Sequence, residues 1–151
     1  MADDRIHPET GVSLRRGVRP MLIQYGSLAR EVEVPGWYPE GDGDAIHSGA
    51  DLKEADQTFA ELRTAYAAHV RAVRKSLKLT QEEAGEIIGG GRRAFHRYER
   101  GLAPPSDAAV GLIEILAKDP KAMEILKSLR RNSGNGMMRK TAGRRGERLS
   151  A

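Results

Sequence analysis

Three consecutive glycines, Gly89-Gly90-Gly91, separate two stretches whose residues otherwise favour helix. No helix runs comfortably through such a triplet, because glycine loses the most backbone freedom on ordering and brings no side chain to pack. The chain must turn there. Upstream, Thr80 can cap a first helix, with Glu83 three residues on completing a capping box, and Ala84, Ile87 and Ile88 follow at helical spacing. Downstream, a second helix is expected from about Arg92 to Arg100, with Gly101 as its C-terminal stop. Two short helices around a glycine turn make a helix-turn-helix.

The second helix is basic on most of its surface. Phe95 and Tyr98, three residues apart, are expected to turn inward as core, leaving Arg92, Arg93, His96, Arg97 and Arg100 outside. Glu99 is the single acid among them and is expected to pair with a neighbouring arginine or with the first helix. A basic helix alone can be an ordinary solvated face. A capped helix, a tight glycine corner and a one-signed second helix together point instead to a phosphate-rich partner, double-stranded DNA.

Charge is divided along the chain in the same sense. Residues 1–69 carry 12 acids against 7 Lys and Arg, a net of −5, whereas residues 70–151 carry 18 Lys and Arg against 9 acids, a net of +9. One half suits nucleic acid and the other something else. No apolar run approaches the roughly 20 residues of a membrane span, and the opening MADDRIHPE has no signal-peptide core. Zero cysteines excludes disulfides and thiolate metal sites, which makes the cytoplasm the expected compartment.

The expected fold class is α+β: a small N-terminal domain containing a β-hairpin, then a C-terminal five-helix domain. Pro20–Tyr25 and Ala29–Val34 read as two strands around a Gly26-Ser27 turn, followed by a loop over Pro35–Gly49 that starts with Trp37-Tyr38. From Asp51 to Ser76, Leu52, Ala55, Phe59, Leu62, Tyr66, Val70, Val73 and Leu77 form one apolar stripe, on a long helix or on two helices parted near Ala67-Ala68-His69. Past a stiff Leu102-Ala103-Pro104-Pro105 linker, Ser106 or Asp107 caps a helix, and Asp119-Pro120 starts a last one to about Arg131. The divisions are then residues 1–66, 67–131, and a basic tail 132–151 whose composition predicts disorder.

The run VRKSLKLTQEEAGEIIGGGRRAFHRYERG, Val73 to Gly101, resembles the helix-turn-helix of the MqsA-type antitoxins, the DNA-binding members of bacterial type II toxin–antitoxin pairs. GVRPM (Gly17 to Met21), PGWY (Pro35 to Tyr38) and the stretch from Ala45 to Asp56 are also similar to that family, so the likeness covers most of residues 7–131 and not the tail. The resemblance implies a Cro/C1-type helix-turn-helix, a homodimer through the C-terminal domain, and autorepression at a palindromic operator. It also implies that the acidic N-terminal half masks a cognate ribonuclease toxin. On this basis Arg93 and Arg97 would contact bases, while Arg92, His96, Arg100, Thr80 and Gln81 would meet phosphates.

Two departures stand out. Members of the family carry a structural zinc held by two pairs of cysteines, and the matching positions here read His7, Thr10, Pro39 and Asp42. Pro39 offers no donor and Thr10 a poor one, so even with His47 nearby no metal or other cofactor is expected. Hydrophobic docking around Leu22, Val32, Val34 and Trp37 would have to replace that staple. The family also has an Asn where this chain has Arg93, which favours guanine over adenine at one base of each half-site.

A stand-alone transcriptional regulator with a ligand- or protein-binding N-terminal domain is the alternative left open. An enzyme is not expected. His7, His47, His69 and His96 are scattered without metal spacing, no nucleophile elbow is present, and the glycine triplet lacks the Lys-Ser/Thr of a phosphate loop.

Overall fold

A computed structural model describes residues 4–134. The N-terminal part is a three-stranded antiparallel sheet in the order β1 (Asp4–Ile6), β2 (Ser13–Tyr25), β3 (Leu28–Pro39). Five α-helices follow: α1 (Lys53–Ser76), α2 (Gln81–Ile87), α3 (Ala94–Glu99), α4 (Asp107–Lys118) and α5 (Met123–Gly134), with a 3-10 turn over Pro120–Ala122 leading into the last. The α+β class is as expected. The tail basic residues Arg139, Lys140, Arg144, Arg145 and Arg148, and the disorder predicted for them, lie outside the described residues.

The hairpin is twice as long as the alternation suggested, and Pro35–Pro39, expected as loop, belongs to β3. Pairing runs without interruption from Leu14 opposite Pro39 to Tyr25 opposite Leu28. β1 covers β2 only as far as Arg15, so beyond that point β2 is an edge, and β3 is one except at Trp37, which bridges to Ile46; a proline without an N–H is tolerated on such edges. Pro20, Pro35 and Pro39 sit in these strands for that reason.

This ribbon buries one face at one end and the opposite face at the other. Near its tip Met21, Ile23, Tyr25, Val32 and Val34 pack on α1, joining a core with Leu62, Tyr66 and Val70. At the far end the other face buries Leu14 and Trp37, beside a nearly buried Asp51 that takes a two-pronged ion pair from Arg16. The Arg16 bonds, with the Ser48 N–H, hold the Asp51 carboxyl well below the usual carboxylate range. Arg5 and Arg16 both stack on the Trp37 ring, at 3.8 and 4.4 Å from its centroid. Leu22, expected in the docking core, falls on the open face between these two packed regions and is 59% exposed. Strand alternation sends it away from Ile23.

α1 has no break at Ala67-Ala68-His69. Alanine is the best helix former, and Tyr66, Val70 and Val73 carry the buried stripe straight through. One continuous helix therefore spans the expected 66/67 division and packs against the hairpin and against α3 and α4. The tip is seated by Gly26, at φ +59°, where a Cβ would lie 2.5 Å from the Tyr66 ring. Beside it Glu114 of α4 accepts from Ser27 Oγ at 2.9 Å and meets His69 Nε2 of α1 at 2.8 Å. Burial, then the nearby Glu114, pushes the Tyr66 hydroxyl up to about 12.

Candidate nucleic-acid interface

α2 begins as its sequence dictates. The Thr80 hydroxyl accepts from the Glu83 N–H and the Glu83 carboxylate accepts from the Thr80 N–H, each at 3.1 Å. Both bonds hold the Glu83 carboxyl below its ordinary value. The glycine turn that follows takes φ values of +133°, +94° and +92° at Gly89, Gly90 and Gly91. At Gly90 a Cβ would lie 2.7 Å from the Tyr98 hydroxyl, so bare backbone is what lets α3 close onto the corner. Gly85, inside α2, is required for the same closure: a Cβ there would be 2.0 Å from the Gly91 carbonyl oxygen. Gly85 is a functional position not foreseen from the sequence, where the one signal is a glycine inside a capped helix.

α3 is shorter than expected, Ala94–Glu99, because Arg92 and Arg93 belong to the turn and its entry. Its end forms a Schellman motif: Gly101 at φ +67° donates to the Tyr98 carbonyl and Leu102 to the Arg97 carbonyl, at 3.2 and 3.0 Å. Phe95 and Tyr98 are buried edge to face, 5.4 Å apart, as core. Glu99 faces inward and takes two 2.8 Å bonds from Arg74 of α1, whose third nitrogen donates to the Leu79 carbonyl. Glu99 thus pairs neither with a neighbouring arginine of α3 nor with α2, but with Arg74 of α1. With both side chains largely buried, 12% and 4% exposed, the pair bolts α3 to α1 and withdraws the helix's single acid from its outer surface.

What remains outside is Arg93, His96, Arg97 and Arg100, all exposed, at the three- and four-residue steps that align on one helical face. Arg92 is also exposed but lies in the turn, paired with Glu82 at 2.7 Å and Glu86 at 3.5 Å, which together raise its already high pKa. Thr80 is exposed with its hydroxyl engaged in the cap, and Gln81 is half-buried. Arg93 and Arg97 are therefore brought together with His96 and Arg100, whereas Arg92, Thr80 and Gln81 stand at its border.

The chain matches the family described as the antitoxin component of the bacterial toxin–antitoxin system, MqsA, over residues 36–130. It belongs to the MqsA antitoxin family. Antitoxin MqsA of Escherichia coli strain K12 is 41% identical over 88 residues, covering 52% of this chain and 64% of that relative. The chain thus spans somewhat less than two thirds of the relative's length in the match. β3's end, α1 to α4 and most of α5 fall inside the family match, while β1 and β2 lie before it.

The ligand positions implied by the family resemblance do not fit a metal. His7 Nδ1 already accepts the N–H groups of Glu9 and Thr10, at 3.2 and 3.3 Å, closing the turn from within. Arg19 closes the opposite turn, donating to the Pro39 and Gly41 carbonyls. Among the described residues no three His, Cys, Asp or Glu side chains gather as a metal site. Also among them, no helix is long and apolar enough to cross a membrane.

Proposed function

We propose that this protein is an antitoxin and autorepressor, in which α2 and α3 act as a Cro/C1-type helix-turn-helix on palindromic operator DNA and the N-terminal half neutralises a ribonuclease toxin. The observation that carries the DNA half is the one-signed face of α3. Arg93, His96, Arg97 and Arg100 point outward while the only acid is turned to Arg74. Arg93 and Arg97 are the base-reading candidates, since a guanidinium matches guanine O6 and N7 with two bonds. Arg92, His96, Arg100, Thr80 and Gln81 serve as phosphate contacts around them.

Family membership supports the antitoxin half, as does the net charge of −5 over residues 1–69, which suits a basic partner. We divide the work between residues 1–66 and 67–131, with α1 as the shared strut. Exposed Ile115 on α4 and Ile125 on α5 offer apolar surface for a homodimer of the C-terminal part. Two recognition helices would then enter successive major grooves about one helical turn apart.

Co-purification of the tagged chain with its neighbouring gene product, followed by a gel shift on the upstream promoter, tests both halves. Capture of the neighbour and a shift that outlasts scrambled competitor are expected. A shift without capture would favour the stand-alone regulator, and the absence of both capture and shift would overturn the reading.

A further inference from the structure

A groove of about 760 Å³ lies where the end of α3 meets α1. Its charged lining is almost entirely cationic: Arg63, Arg71 and Lys75 of α1, and Arg100 at the C-terminus of α3. The one carboxylate at its edge, Glu99, is taken up by Arg74. Among the described residues none of the four cations makes a salt bridge, unlike Arg16, Arg30, Arg74 and Arg92 elsewhere. The floor between them is low, with Ala67, Ala68 and Ala72, so a bulky chain could reach the helix backbone.

Local geometry keeps the cations forward. Arg63, Ala67, Arg71 and Lys75 follow at four-residue steps, about 6 Å apart along the helix axis. The stem of Arg63 lies against Gly101, where a Cβ would be 3.2 Å from its Cγ, so the Schellman glycine also leaves room for that arginine. Arg100 belongs both to this groove and to the outward row of α3, which makes the two cationic surfaces continuous.

We propose that this groove is a phosphodiester-binding track that carries the DNA contact of α3 onto α1. It rests on the helix-turn-helix reading and adds a second surface to it. Four unanswered cations over a shallow floor of small residues match the spaced negative charge of a nucleic-acid strand. In this track the four cations meet strand backbone and not base edges, so it contributes affinity and salt dependence and no sequence preference.

The test uses the full chain, with fluorescence anisotropy over a series of salt concentrations. The probes are a duplex from upstream of its own reading frame and a scrambled duplex of the same length. In the Arg71→Gln/Lys75→Gln variant, and with Arg63→Gln added, the slope of log affinity against log salt should flatten by about 0.9 for each phosphate contact removed. Both duplexes should weaken alike, and melting temperature should stay near wild type, since these side chains are outside the core. Arg97→Ala, by contrast, should lower the preference for the upstream duplex.

An unchanged slope in the α1 variants, with preference intact, overturns the track and leaves the helix-turn-helix reading standing. Equal binding of both duplexes by wild type overturns the latter, and the slope then decides the track alone. An unchanged slope with altered mass by light scattering would assign the groove, with exposed Leu102 at its lip, to a second copy of the chain and so overturn the proposal.

Discussion

Arg93 occupies the entry to α3, exposed and on the row shared with Arg97, at the position where the family resemblance places an asparagine. Arginine pairs with guanine and asparagine with adenine, so the two residues ask for different bases at one step. Selection from random duplexes should return guanine there for wild type and adenine for Arg93→Asn; adenine for both would remove Arg93 from base reading. The Arg74–Glu99 pair lends itself to a double-mutant cycle. Glu99→Ala strands a largely buried guanidinium and should cost about 3–5 kcal/mol in denaturant unfolding. Arg74→Met combined with Glu99→Leu should recover most of that loss, because no charge is then left unpaired. Glu99's need for a partner was legible in the sequence, since it is the lone acid of a basic helix. That the partner is Arg74, 25 residues earlier, was not, because helix-to-helix pairing leaves no periodic trace.

Capped elements were the easiest to foresee. Thr80 and Ser106 both stand as N-caps where their hydroxyls and the following apolar periodicity placed them. The hairpin was only half visible, since Pro20, Pro35 and Pro39 read as breakers until it is clear that their strands are edges. Of the two arrangements open for α1 the unbroken one holds, because small residues lower the apolar signal without weakening the helix. Gly85→Ala should test how tightly α2 and the glycine corner are closed, because its methyl would meet the Gly91 carbonyl. A loss of about 1–3 kcal/mol is expected from this overpacking, read by thermal unfolding. An unaltered melting curve would mean the corner gives way freely. Tyr66, at the junction of hairpin and helices, sets an alkaline limit. Its folded value of about 12 exceeds that of an unfolded tyrosine, about 10. The stabilisation this represents is complete below pH ~10 and is lost as pH rises from there through the folded value. Tyr66→Phe should reduce that alkaline loss in unfolding experiments, whereas an unchanged pH profile would place the loss elsewhere.

At the scale of the molecule, the sheet and the helices share one core, which the charge asymmetry along the chain did not reveal. The expected division at 66/67 falls within α1, so the two halves meet along a common helix. The metal-free expectation has a structural counterpart in His7 and Arg19, which hold their turns by hydrogen bonds to backbone. Incubation with a strong chelator should therefore leave thermal unfolding unchanged, and elemental analysis of the purified chain should find no stoichiometric zinc. A large fall in melting temperature with the chelator would show that a metal supports the N-terminal part after all.

The long ribbon ties these scales together. Sliding one strand past the other by a single residue would turn Ile23 or Val32 to water at the tip and, by the same movement, evict Leu14 or Trp37 from the same strand at the base. Misalignment is penalised twice, once at each end of the ribbon. That double lock lets a narrow two-stranded ladder, bare on one side and rich in proline, keep a single alignment.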